Sequence, residues 1–155
     1  MYETGQMASD EVDGPHQVVA AMLVRGDAVL LCHRSTDRQW YPDTWDLPGG
    51  HIEPNETAQK ALVRELREEL GITLIEPLGH HSFSRTTEEF ELQVWITSQW
   101  TSSPSNCAPH EHDEIGWFTA EDVLSLQLAD PGYCSWIAEA LGSGHWAAGR
   151  QPDRE

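Results

Sequence analysis

The sequence predicts an α/β or α+β domain built on a mixed sheet. Short apolar runs rich in β-branched residues alternate with segments of helical spacing, and Gly and Pro punctuate the joins. No internal repeat interrupts that order over the 155 residues, a length that fits one domain with its own core. Hydrophobic residues at 39% and charged residues at 23% give a globular composition.

The elements can be taken in order. Residues 1–16 are polar and acidic and read as a flexible tail. "VVAAMLV" (18–24) reads as a buried strand, Arg25-Gly26-Asp27 as a turn, and "AVLLCHR" (28–34) as the hairpin partner. "STDRQWYPDTWDLPGG" (35–50) holds two prolines and ends in two glycines, so it should be irregular. A helix follows. Asn55 or Thr57 can cap its start, Gly71 can stop it, and Leu62, Val63, Leu66 and Leu70 form its apolar stripe. Strands are expected over 73–85, 90–100 and 114–119, with "TSSPSNCAPHEHD" as a loop before the last. A helix is expected over 120–129, continued over 133–141. The ordered domain is thus 17–141, with 142–155 as a second flexible tail.

Charge narrows the function classes. Twenty-six acids against nine bases give −17, which repels nucleic acids and anionic membranes at long range. Nine bases leave no basic stripe for a chain of phosphates. A phosphorylated small molecule would need a supplied cation, and a divalent metal is the obvious one. Cys32, Cys107 and Cys134 are widely spaced with no C-x-x-C, which suits a reducing compartment. The first residues lack the basic start and apolar run of a signal peptide, and no apolar run approaches the ~20 residues that span a bilayer. A cytoplasmic monomer or homodimer is expected.

The chemistry concentrates in "ALVRELREELGI" (61–72). Glu65, Glu68 and Glu69 stand at i, i+3 and i+4 and share a helix face, expected on a different stripe from Leu62, Leu66 and Leu70, rotated by roughly a third of a turn. Converging carboxylates form the hard-oxygen cage that Mg²⁺ or Mn²⁺ prefers. "RELREEL" alone could equally be a solvated face. The longer stretch 50–72 decides otherwise. It reads G-x5-E-x7-R-E-U-x-E-E-x-G-U, with Gly50, Glu56, Arg64, Glu65, Leu66, Glu68, Glu69, Gly71 and Ile72 in the specified places. Chance matching is on the order of 10⁻¹⁰ per starting position.

This pattern resembles the Nudix box. Together with "WDLPGG", the preceding hairpin, the following strands and "EIGWFT", residues 18–141 are similar to the bacterial MutT-like branch. The resemblance implies a Nudix α/β/α sandwich whose mixed sheet is flanked by helices. It also implies Mg²⁺-dependent hydrolysis of a nucleoside diphosphate linked to another group, with Mn²⁺ as substitute. Nucleoside triphosphates lead as substrates, including damaged or non-standard ones such as 8-oxo-dGTP. ADP-ribose or a dinucleoside polyphosphate is the alternative. A non-catalytic nucleotide-sensing domain is the alternative of another class, but binding alone does not need the full carboxylate set.

By the same resemblance Glu65, Glu68, Glu69, the Gly50 carbonyl and Glu111 are the metal ligands. Glu65 also serves as general base, and Arg64 and Glu68 complete the catalytic set, Arg64 orienting a neighbouring glutamate and Glu56 buttressing the loop. "HEHDEIGW" also offers Asp113 and Glu114, but Glu111 lies six residues before Trp117, the MutT-like spacing. Arg34, ending the second strand, and Asp46, before "LPGG", are the substrate-contacting candidates. The "QWYPDTW" loop and Phe83 could stack on a base or pack internally. Cys107, His110 and His112 spell C-x2-H-x-H, not a usual structural zinc spacing, so the histidines read as loop residues near substrate. His80 and His81 should alternate across a strand. One departure stands out: MutT-like enzymes that recognise 8-oxoguanine use an Asn after the last core strand. The only Asn residues here are Asn55 and Asn106, and "LSLQLADPGY" offers Gln127 or Asp130 instead.

Overall fold

The computed structural model describes residues 15–142. The expected tails fall outside that span except for residues 15, 16 and 142. Among the described residues the elements are β1 (His16–Arg25), β2 (Ala28–Arg34), β3 (Trp45–Asp46), β4 (Gly49–His51), α1 (Ala58–Leu70), β5 (Thr73–Leu74), β6 (Phe83–Thr86), β7 (Phe90–Thr97), β8 (Trp100–Thr101), β9 (His112–Thr119), α2 (Ala120–Val123) and α3 (Tyr133–Gly142).

β1 organises the molecule. Val18 to Val24 are each 0–2% exposed, a continuous apolar run that must be covered on both faces. Along one edge β1 runs parallel to β7 over eight residue pairs. Its other edge is shared: Val18–Ala20 pair antiparallel with β4, and Val24–Arg25 pair with β2 in the hairpin. β2 continues away from β1 and pairs with β3 and, over its whole length, with β9. The mixed sheet therefore opens between β4 and β2, and residues 46–50 cross that opening.

The alternation of β1 sends its side chains into two cores. Val19, Ala21 and Leu23 meet Ala61, Leu62, Leu66 and Leu70 of α1. Val18, Ala20, Met22 and Val24 meet Val123, Tyr133, Ile137 and Ala140 of α2 and α3. This is the expected α/β/α sandwich with helices on both faces of a mixed sheet.

α1 is bounded by strong local signals. The Thr57 hydroxyl accepts from the Lys60 amide at 3.2 Å, so Thr57 rather than Asn55 is the cap. Gly71 takes a left-handed φ of 70° and its N–H donates to the Arg67 carbonyl.

Several expected elements are shorter. The strand expected over 73–85 breaks into β5 and β6, because β5 pairs with β8 while β6 pairs with β7. His80 and His81 fall on the connecting bend, where strand alternation does not apply. The helix expected over 120–129 stops at Val123. The backbone beyond it turns to pair with β3: the Trp45 N–H donates to the Gln127 carbonyl and the Ala129 N–H to the Trp45 carbonyl. No helix among the described residues is long and apolar enough to cross a membrane. Cys32, Cys107 and Cys134 are all free thiols.

Leu66 is fully buried between α1 and β1. Leu66→Ala should lower stability by roughly 2–5 kcal/mol, read as a fall in the urea midpoint with little change in the slope.

Candidate active site

Helical geometry explains how α1 builds the site. At ~100° per residue Glu69 falls only about 20° from Leu62, inside the apolar stripe; Glu65 lies about 40° further round and Glu68 about 100° from Glu69. The burial follows that order. Glu69 is 4% exposed. The Glu65 side chain is 15% exposed and that of Glu68 is 60% exposed. Glu65 and Glu69 converge, while Glu68 stands at the rim, where Arg64 donates to it at 3.4 Å.

The glycine loop closes on this face. A Cβ added to Gly50 would overlap the Glu65 carboxylate, so only glycine leaves that group its seat. Gly49 packs against the β1 backbone at Val19 and Ala20, again with no room for a side chain. The Gly49 N–H donates to Glu69 Oε1 at 3.1 Å. Gly50, the expected carbonyl ligand, thus lies against Glu65 and one residue from the amide that holds Glu69.

Arg64 ties the box together. Its Nε and Nη2 grip Glu56 in a bidentate pair at 2.7 and 3.0 Å, Nη2 also donates to the His51 carbonyl at 3.0 Å, and Nη1 donates to Glu65 at 3.0 Å. Glu56 also accepts from the Glu53 N–H. The Arg64 hydrogen bonds, reinforced by that backbone N–H, lower the Glu56 pKa. Glu56 is thus joined to the helix through Arg64, which also donates to Glu65.

The electrostatics of the facing pair are unusual. Burial raises Glu69 well above the ordinary carboxylate range, and the charges of Glu65 and Glu111 raise it further. Glu65 is also raised, by burial first, against the opposing pull of its hydrogen bond with Glu69 and of Arg64. A buried and a partly buried carboxylate that disfavour each other's charge are what a divalent cation relieves. The all-oxygen donors suit a hard ion, so the residues fit the metal that the box implies.

A small cavity beside Glu69 is lined by Arg34, Arg38, Asp46, Leu47, Gly49, Glu111 and His112. The structure brings Glu69, Glu111 and His112 together, with one donor atom from each within 4.8 Å of the others. Glu111, rather than Asp113 or Glu114, thus approaches the α1 carboxylates. His112 was readable in the sequence only as a loop histidine; it is 5% exposed and its Nε2 lies 3.9 Å from Glu69 Oε1. Burial, then the charges of Arg38 and Arg34, lower its pKa to about 4, so the ring is neutral near pH 7. His110 stands out at 78% exposure and Cys107 is exposed, so no C-x2-H-x-H grouping forms among the described residues.

Arg34 and Asp46 lie in this cavity but are also tied to the protein. Arg34, 2% exposed, donates to the carbonyls of Trp40 and Tyr41 and sits 3.7 Å from Asp46. Asp46 Oδ1 accepts from the Leu47 N–H and, at 2.7 Å, from the Tyr133 hydroxyl of α3; its Oδ2 is buried without a hydrogen bond to another described residue. Burial raises the Asp46 pKa, opposed by Arg34 and the Tyr133 hydroxyl.

Beyond Tyr41 a cleft of about 460 Å³ is lined by Arg85, Thr87, Glu88, Glu89, Phe90 and Asp130. Asp130 lies there, paired with Arg85 at 2.9 Å, whereas Gln127 is exposed and gives its carbonyl to Trp45. Phe83 is stacked on Trp136 at 5.1 Å, which accounts for its face internally. Of the "QWYPDTW" aromatics, Trp45 packs on Phe118 and Tyr41 lines the cleft.

An α/β/α sandwich that seats helix carboxylates on a glycine loop defines a hydrolase of the Nudix type. The profile of the NUDIX domain matches residues 14–139, and the chain belongs to that family. It is 33% identical over 135 residues to the nucleoside triphosphatase NudI of Enterobacter sp. (strain 638), covering 80% of this chain and 96% of that protein. It is 34% identical over 115 residues to the CTP pyrophosphohydrolase of Escherichia coli (strain K12), covering 73% and 82%. Its structure superposes on a MutT NUDIX hydrolase from Burkholderia pseudomallei with a TM-score of 0.63 at 28% identity, covering 71% of this chain and 87% of that one.

Two outcomes follow from the geometry. Lysine cannot reproduce the bidentate grip of Arg64, so Arg64→Lys should cost about 10–100-fold in metal affinity or turnover while the far-UV CD spectrum is retained. His33 bridges β9 and the 35–44 loop, its Nδ1 2.7 Å from Asp113 and its Nε2 2.9 Å from Asp43. Burial pulls its pKa down, but Asp113 and then Asp43 outweigh that, and the net shift is upward. A raised folded-state pKa stabilises fully below the unfolded value of about 6.5 and loses that contribution as pH rises through the folded value. The stability gap between wild type and His33→Gln should therefore be wider near pH 5.5 than near pH 8.5, measured by urea unfolding.

Proposed function

We propose that the protein is a divalent-metal-dependent pyrophosphohydrolase of nucleoside triphosphates, releasing a nucleoside monophosphate and pyrophosphate. The observation that carries this reading is the Glu65 carboxylate seated on Gly50 beside the buried Glu69. The named activities of the relatives, a nucleoside triphosphatase and a CTP pyrophosphohydrolase, support the substrate class.

Glu65, Glu69, Glu68, Glu111 and the Gly50 carbonyl would hold Mg²⁺, or Mn²⁺ in its place. When bound, such an ion neutralises the diphosphate and lowers the pKa of a water. The chain's own residues do the rest. Arg64 holds Glu65 in place through its grip on Glu56, and Glu65 accepts the proton of the attacking water. The Gly49 amide keeps Glu69 aimed at the loop. Arg34 and Asp46 meet the substrate at the inner wall. The cleft beyond Tyr41, within the volume range of small-molecule sites, takes the nucleoside end. Asp130 and no Asn lines that cleft, so among damaged nucleotides 8-oxo-dGTP is not favoured over others. ADP-ribose and dinucleoside polyphosphates remain the second class of substrate.

A nucleotide panel assayed with Mg²⁺ for phosphate and pyrophosphate release tests the reading. Glu65→Gln and Glu69→Gln should each reduce turnover by more than the roughly 100-fold typical of supporting groups, with the fold intact. Wild-type inertness toward every nucleotide, with binding retained, would instead make the domain a sensor.

A further inference from the structure

We propose that His112 is a nitrogen ligand which, with Glu69 and Glu111, binds a divalent transition-metal ion. The inference rests on the metal reading above and adds a donor that the acidic box does not contain.

His112 opens β9 opposite Arg34, where the β2–β9 register shifts between His33 and Arg34. Such an irregularity re-aims the side chains beside it. The backbone is then fixed on both sides: the His112 N–H donates to the Ala108 carbonyl at 3.0 Å and its carbonyl accepts from Asn106 Nδ2 at 2.8 Å. These bonds drive the imidazole inward to 5% exposure. Nδ1 is buried and makes no hydrogen bond to another described residue, and Nε2 reaches no closer than 3.9 Å to Glu69. The nitrogen that nears Glu69 is therefore Nε2, beyond hydrogen-bond reach of the carboxylate at the wall of the cavity, while Nδ1 is the one left buried without such a bond.

The spacing suits one ion. Donors bound at about 2.1–2.2 Å to a common metal lie at most about 4.4 Å apart. The 3.9 Å separation of Glu69 and His112 fits directly, and the 4.8 Å limit for the trio needs a small closing of side chains. The neighbouring cations point at other oxygens: Arg38 donates to the Glu111 carbonyl at 2.9 Å, and Arg34 to Trp40 and Tyr41. Two carboxylates and a neutral imidazole balance a divalent charge. Imidazole favours ions such as Zn²⁺, Fe²⁺ or Ni²⁺ over Mg²⁺, and Mn²⁺, though nearer Mg²⁺ in its taste for oxygen, is the spectroscopic reporter of a nitrogen donor.

Mn²⁺ alone is the probe, titrated into the full-length wild-type protein and read by pulsed EPR. Bound Mn²⁺ should show hyperfine coupling to a directly ligated ¹⁴N, replaced by the ¹⁵N pattern when histidine is ¹⁵N-labelled. His112→Gln should abolish the coupling and weaken Mn²⁺ binding about 10-fold or more, with a smaller change for Mg²⁺. Mn²⁺ bound without nitrogen coupling in wild type would overturn the role of His112 yet leave the carboxylate site standing. Coupling that persists in His112→Gln would assign it to another histidine and overturn the inference equally. No Mn²⁺ uptake at all would remove both readings. The wild-type spectrum decides even where the variant folds poorly.

Discussion

Burying the Glu69 carboxylate inside the leucine stripe of α1 sets up a cost that the surrounding structure answers piece by piece. An ionised carboxylate in such a place is unfavourable unless something compensates it. The Gly49 amide supplies one hydrogen bond, and a cation would supply the balance that the protein withholds. Glu65 and Glu111 then converge on the same point, which worsens the repulsion and raises the attraction for a cation together. The two glycines are part of this arrangement: without side chains they let the β4 backbone come near enough for the carboxylates to be enclosed by it. Arg64, at the outer edge, holds the Glu65 carboxylate by a hydrogen bond.

This division of labour resolves the tension between a −17 chain and a polyanionic substrate. The basic residues near the site are few and each is committed. Arg64 grips Glu56, Arg34 holds the 35–44 loop by two carbonyls, and Arg38 fixes Glu111 from behind. Apart from the substrate contact proposed for Arg34 at the inner wall, they arrange oxygen atoms. Attraction would thereby be confined to where a cation binds, and the acidic exterior discourages polymeric phosphates from lingering.

Much of this was legible in the amino-acid order because the signals were local. The caps of α1, the apolar runs of β1 and β2, and the spacing from Gly50 to Ile72 each depend on neighbours in the chain. Short strands were not legible: β3, β4, β5 and β8 span two or three residues and exist only through their partners. The shortened α2 has the same cause, since the backbone at Gln127 and Ala129 is claimed by Trp45 across the fold. Glu69 was expected on a carboxylate stripe apart from the leucines, whereas it lies inside their stripe, about 20° from Leu62, and is buried with them. His112 was the least visible. Its orientation comes from a register shift between two strands about eighty residues apart, which no spacing rule within one segment encodes.

The double duty of β1 constrains how such a chain can vary. One edge serves β4 and then β2, the opposite edge serves β7, and alternate residues feed separate cores. Adding or deleting a single residue in its middle would turn half the strand inside out and slide the Gly49–Gly50 backbone away from α1. Length differences among descendants of this gene should therefore accumulate at the 35–44 and 102–111 connections, leaving β1 as a ruler of invariant length.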